Sequence, residues 1–135
     1  MYYIKRYNEG ILVKCEFSEL LIKTGIKSYL NNLCMDSLST FEGRKKAITK
    51  LISHRNNVPI YINKNTFVYP TKSLREYDML FINYHEVLSY KKLDKYNTLF
   101  VFKNLEELVV EVSVKKIVKL HERIELVYQH IDNII

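Results

Sequence analysis

The 135 residues suffice for one hydrophobic core and leave little room for two. Apolar residues make up 47% and charged residues 27%, which is ordinary globular usage and argues against disorder, and no run approaches the ~20 apolar residues of a membrane span. Lys and Arg outnumber Asp and Glu by 21 to 15, a net charge of +6 and a pI near 9.2, so an anionic partner, nucleic acid or a membrane surface, is favoured.

Met1-Tyr-Tyr-Ile-Lys-Arg6 is followed by alternating polar residues rather than an apolar signal core, which leads us to expect a cytoplasmic protein. Tyr2–Tyr7 and Ile11–Phe17 alternate apolar and polar residues around Asn8-Glu9-Gly10, the pattern of a β-hairpin. Leu20–Ile22 continues the sheet and Thr24-Gly25 closes it. The period then changes: Ile26, Tyr29, Leu30, Leu33 and Cys34 fall on one face of an amphipathic helix. Ser39 and Glu42 have capping-box spacing and predict the start of a second helix, with Phe41, Ala47, Ile48, Leu51 and Ile52 as its buried stripe. Lys46 and Lys50 lie opposite that stripe, Lys45 flanks it, and Arg44 projects near it, so Arg44 must leave the helix end or pair there. Gly43 in the first turn keeps the backbone accessible.

Pro59–Ile62 and Thr66–Tyr69 flank Asn63-Lys64-Asn65 as a second hairpin. Pro70-Thr71-Lys72-Ser73 leads into a basic loop ending at Arg75. Met79–Tyr84, Val87–Tyr90, Thr98–Phe102 and Leu108–Val112 read as further strands. Val114, Ile117, Val118, His121, Ile124, Tyr128 and Ile131 share the face of a closing helix. The expected fold is a single α+β domain over residues 1–135, a mostly antiparallel sheet with an N-terminal hairpin, two central helices, a strand meander and a C-terminal helix.

Motifs for chemistry are sparse. Gly10, Gly25 and Gly43 stand alone, which removes the clustered glycines of a phosphate loop or dinucleotide fingerprint. A hydrolase serine elbow and a zinc-protease histidine pair are missing too. His121 reads as a satisfied core histidine and His130 as a solvated one. His85-Glu86 makes an acid–base pair only in a pocket, since adjacent strand residues point to opposite faces. Cys15 and Cys34 are far apart, form no metal spacing even with His54, and read as buried thiols. We expect no catalytic residues, metal or cofactor.

Charge is distributed unevenly. From Met35 to Arg75 eight basic residues face two acids, Asp36 and Glu42; from Glu76 to Val112 seven acids face four lysines. Arg44, Lys45, Lys46, Lys50, His54, Arg55, Lys64, Lys72 and Arg75 share their span with Ser39, Thr40, Asn56 and Asn57. Cations neutralise phosphates and release counterions, while hydroxyls, amides and a helix N-terminus fix register. A solvated helix face is the plainer reading of such a run, which the shortage of acids disfavours.

Ser39-Thr-Phe-Glu-Gly43-Arg44-Lys45, Ser53-His54-Arg55, Pro59-Ile60, Phe67-Val-Tyr-Pro70-Thr71, Ser73 and Phe81-Ile82-Asn-Tyr-His85-Glu-Val87 follow one another in order. This central third resembles the competence transcription factor (ComK) family. Ala47-Ile48 stands where that family commonly has Gly-Thr, and Phe81 where it often has Trp. The chain also stops soon after the late helix, where longer members carry a further tail linked to activation or regulated turnover. The resemblance implies a nucleoid-associated transcription regulator that binds double-stranded AT-rich DNA through the minor groove as a homo-oligomer, with RNA polymerase or a proteolytic adaptor as further partners. By position, Gly43, Arg44 and Lys45 are carried over as groove contacts, His54 and Arg55 as neighbouring contacts, and Thr71 and Ser73 as turn stabilisers. Lys46, Lys50, Arg55 and Lys72 are expected at phosphates, beside the Ser39 and Thr40 hydroxyls. The competing reading is an interaction module that antagonises a full-length relative.

Overall fold

The computed structural model describes residues 1–134, with the side chain of Ile134 outside the description. The chain order is β1 (Tyr3–Tyr7), β2 (Gly10–Lys14), β3 (Glu19–Ile22), α1 (Ile26–Asp36), α2 (Phe41–Ile52), β4 (Ile60–Asn63), β5 (Thr66–Pro70) and β6 (Leu80–Asn83). A 3-10 turn (Tyr84–Glu86) then leads to β7 (Val87–Lys92), β8 (Thr98–Phe102), β9 (Glu107–Val110) and α3 (Val114–Ile134). The protein is α+β, with antiparallel sheets and a C-terminal helix as the periodicities predict.

The strands form two sheets. One has the order β3-β2-β1-β6-β5-β4 and the other β7-β8-β9. β1 pairs with β6, placing Tyr3 opposite Ile82 and Ile4 opposite Phe81, and so welds the N-terminal hairpin to the central one. Asn83 ends β6 and splits the expected meander. Its buried Oδ1 accepts from Phe67 N (3.2 Å) and His85 N (3.3 Å), and its Nδ2 donates to Met1 O (2.9 Å) and Asn65 O (3.4 Å). His85 and Glu86 therefore lie in a 3-10 turn and not on a strand, correcting the expectation that they point to opposite faces.

Alternation along the central strands divides the core. Ile4, Ile60, Ile62, Val68 and Phe81 pack with Ile26, Leu30, Cys34 and Phe41 on the helical side. Tyr2, Phe67, Tyr69 and Ile82 pack on the other side with Phe100 and Phe102 of the small sheet and with Ile117, Leu120, Ile124 and Val127 of α3. Each aromatic or branched side chain buried this way contributes roughly 1.5–3 kcal/mol before ordering costs. α2 spans the two sides at the β4 end, sending Phe41 into one cluster and Ile48 and Ile52 into the other.

Several local expectations shift. α2 is capped by Thr40, whose Oγ1 accepts from Gly43 N (2.9 Å), and not by a Ser39–Glu42 box; Ser39 instead gives its N–H to Cys34 O (3.0 Å) in closing α1. Ala47 and Leu51 are exposed, because α2 lies on the sheet edge and buries only a narrow stripe. Cys15 is half-buried, whereas Cys34 is fully buried. On α3, Val118 is partly exposed and Leu120 and Val127 take the core positions.

Candidate nucleic-acid interface

α2 ends at Ser53, which adopts a left-handed conformation (φ 57°), and Asn57 repeats it four residues later (φ 52°). Non-glycine residues occupy that region at a cost, more easily for Asn. The two reversals bracket His54, Arg55 and Asn56, all exposed, and turn them outward from the end of the helix.

This loop separates two grooves. The first, a cavity of about 560 Å³, runs between the start of α2 and the Pro70–Arg75 segment and is lined by Lys45, Arg55, Lys72 and Arg75 over a floor of Phe41 and Phe81. The second, about 550 Å³, lies between the loop and the first turns of α3, where His54 and Arg55 meet Lys115, Lys116, Lys119 and Arg123. The four α3 cations fall within about 100° of the helix circumference, beside the apolar face. Lys116 is half-buried and donates from Nζ to Thr71 O (2.6 Å). Burial lowers its pKa, and the nearby positive charges of Lys72 and Arg123 lower it further against the pull of Glu76. The Asn57 amide fits between the Lys72 carbonyl and Lys116 Nζ, 3.3 Å from each when its oxygen faces the ammonium.

Among the described residues, Lys45, Arg55, Arg75, Lys115, Lys116, Lys119 and Arg123 make no ion pair. A surface of uncompensated cations is unfavourable to its own folding and favourable to an anion. Lys72 differs. Its Nζ lies 2.6 Å from Asp78 Oδ2 and 3.2 Å from Glu111 Oε1, and the bond to Asp78 leads the rise in its pKa, so its charge is largely offset internally.

The other expected site residues divide by helix face. Lys46 and Lys50 are exposed on the outside of α2, as is Gly43. Arg44 and Lys45 lie on opposite flanks: Lys45 lines the first groove, while the Arg44 guanidinium is 5.1 Å from the Tyr61 ring centre on the β4 side. Arg44 thus pairs with an aromatic face, and its buried Nε has no hydrogen-bond partner. Thr40 spends its hydroxyl on the α2 cap, and Ser39 is half-buried beside it. Thr71 is buried and ties β5 to β6, its Oγ1 accepting from Leu80 N (3.0 Å), while Ser73 Oγ accepts from Arg75 N (3.3 Å).

Lys115, Lys116, Lys119 and Arg123 escaped the sequence reading because they lie forty residues beyond Arg75, where the central cluster ends. Their i, i+1, i+4, i+8 spacing is the signal that marks them as one stripe. Elsewhere, His121 Nε2 lies 2.8 Å from Tyr69 Oη, so it is a satisfied interior histidine. Burial holds its pKa down to about 4. Among the described residues no cluster of His, Cys, Asp or Glu could hold a metal ion, and no helix is long and apolar enough to cross a membrane.

The family model described as ComK protein matches residues 6–134, nearly the whole chain. The chain belongs to the ComK family. No curated protein and no solved structure matches it. The ComK match takes in α2, both grooves and all of α3 up to Ile134, whereas the motif resemblance covered only the central third. ComK proteins are competence-type transcription regulators, so the cationic surface sits on a member of a transcription-factor family.

Proposed function

We propose that the protein regulates transcription by binding duplex DNA along the surface formed by the outer face of α2, the Ser53–Asn57 loop and the basic stripe of α3. The observation that carries this reading is the convergence of His54 and Arg55 with Lys115, Lys116, Lys119 and Arg123 around one groove, without ion pairs among the described residues. Cations from segments far apart in sequence gather on one side of the fold, as tracking a phosphate backbone requires. Lys46, Lys50, Lys115, Lys119 and Arg123 neutralise phosphates. In this reading Arg55, which lines both grooves and is exposed between them, enters the minor groove, with Lys45 at its border. Narrow A-tract grooves attract such a side chain by their enhanced negative potential, which makes AT-rich boxes the preferred target. Arg44 reaches DNA only by leaving the Tyr61 ring, and the unpartnered Nε gives it little to lose in doing so.

Mobility shifts with AT-rich and GC-rich duplexes at about 50 and 200 mM salt test the reading. Tighter binding to the AT-rich duplex, weakening steeply with salt, is expected. Equal affinity for the two duplexes removes the minor-groove assignment, and no binding at the lower salt removes the function.

A further inference from the structure

The hairpin tip between β7 and β8 carries charge that the surface described above does not use. Lys91, Lys92 and Lys95 are exposed and make no ion pair among the described residues. The acid in their midst, Asp94, turns its carboxylate into the tip: Oδ1 accepts from Tyr96 N (2.8 Å), Asn97 N (2.9 Å) and Asn97 Nδ2 (3.0 Å). With Leu93 N donating to Asn97 O (3.1 Å), these bonds make the tip a preorganised turn. Tyr96 is 65% exposed, and its ring centre lies 5.6 Å from Lys95 Nζ, which braces the ammonium at the tip.

Two independent sets of contacts place this tip at the start of α3. β7 runs along the helix toward its N-terminus: the His85 ring lies 5.6 Å from that of Tyr128, and the Tyr90 ring 4.9 Å from that of His121. At about 3.3 Å per strand residue and 1.5 Å per helical residue, Lys92 reaches the level of the first turn of α3, and the tip extends past it. Across the hairpin, Thr98 pairs with Lys92 and donates from Oγ1 to Val112 O (2.7 Å), just before the helix begins at Val114. Alternation then separates two neighbouring lysines. Tyr90 and Lys92 face the α3 side of the small sheet, and Lys91, opposite Leu99, faces away.

The helix surface between the hairpin and the basic stripe suits an anion as well. At about 100° per residue, Val118 and Lys115 lie between the face that meets Tyr90 and the side that carries Lys119 and Arg123. Val114–Leu120 contains no acid, and Glu122 and Glu125 come only in later turns. The neighbouring Glu111 is engaged by Lys72 (3.2 Å). A helix with its side chains is about 10–12 Å across, so the tip and the Ser53–Asn57 loop flank the N-terminal end of α3 at a separation that one duplex bridges. We propose that the β7–β8 hairpin is a second DNA-contacting arm, in which Lys92 and Lys95 take phosphates across the start of α3 from the Ser53–Asn57 loop. This role rests on the duplex binding proposed above and adds an element that the α2–α3 surface does not contain. The duplex crosses α3 over its first two turns, because farther along it would meet Glu122 and Glu125.

Fluorescence anisotropy with one AT-rich duplex over a salt series measures the arm. Replacing Lys92 and Lys95 together by Ala should lower the slope of log K against log salt by about 1.8 and weaken binding about thirtyfold at about 0.15 M salt. Lys91→Ala, the control on the opposite face, should stay within about twofold, since a charge away from the duplex is screened within about 8 Å at that salt. The three side chains are exposed and take no part in the Asp94 turn, so the variants should fold. Hydroxyl-radical footprinting gives a second readout: the double variant should lose one short protected stretch of backbone and keep the rest. If the unaltered chain binds no duplex, the DNA-binding reading falls and the arm with it. If it binds and Lys119→Ala weakens it, while the Lys92→Ala, Lys95→Ala protein keeps its footprint or loses no more affinity than Lys91→Ala, the arm alone falls.

Discussion

Replacing Lys119 by Ala isolates the contribution of α3 to DNA binding. Lys119 is exposed one turn after Lys115 and makes no hydrogen bond or ion pair among the described residues, so its removal should leave stability within about 0.5 kcal/mol. If its ammonium neutralises one phosphate, the slope of log K against log salt loses about 0.9. Taken from a 1 M reference to 0.15 M salt, that slope corresponds to about fivefold weaker binding. Lys119→Glu, which changes two charges, should weaken binding by about thirtyfold under the same conditions. Lys103 is the control: it lies in the β8–β9 turn, where its N–H bonds Glu86 O, away from both grooves. Fluorescence anisotropy on one AT-rich duplex at three or more salt concentrations measures slope and affinity together. A Lys119→Ala protein with the slope and affinity of the unaltered chain would refute contact between the α3 stripe and the phosphates.

Three further perturbations probe the framework under that surface. Asn83→Ala leaves the buried Phe67 amide and the partly buried His85 amide and Met1 carbonyl without their partner and should cost about 2 kcal/mol in urea denaturation, with a loss under about 1 kcal/mol contradicting its role as a hub. Thr40→Ala should cost about 1 kcal/mol and Ser39→Ala less than about half that, and the reverse order would return the α2 cap to Ser39. His121 takes up its proton near pH 4 in the folded protein and near 6.5 when unfolded, so its stabilising contribution is complete above about pH 6.5 and is lost as the pH falls toward 4. Between pH 7 and 4.5 this amounts to roughly 2.5 kcal/mol, which His121→Phe should remove from the pH dependence of urea unfolding; an unchanged pH dependence in that variant would contradict the assignment.

Periodicity and charge, both local properties, determined much of this protein. The alternation in Tyr2–Tyr7 and Thr66–Tyr69 and the 3.6-residue stripes from Ile26 and Val114 mark strands and helices wherever they are placed, because each residue's direction follows from its own backbone. The basic excess from Met35 to Arg75 likewise placed half of the candidate interface on α2 and the loop after it. Tertiary structure decided what faces what. Which flank of α2 meets the groove separates Lys45 from Arg44, though they are neighbours in sequence. The 39-residue reach from Lys72 to Glu111 withdraws one expected phosphate contact, and the docking of α3 beside the Ser53–Asn57 loop adds a basic stripe that sequence distance had hidden. A helix specifies the angles among its own side chains, but its orientation about its axis is set by the apolar surface it buries, and that surface exists only once the sheets have formed.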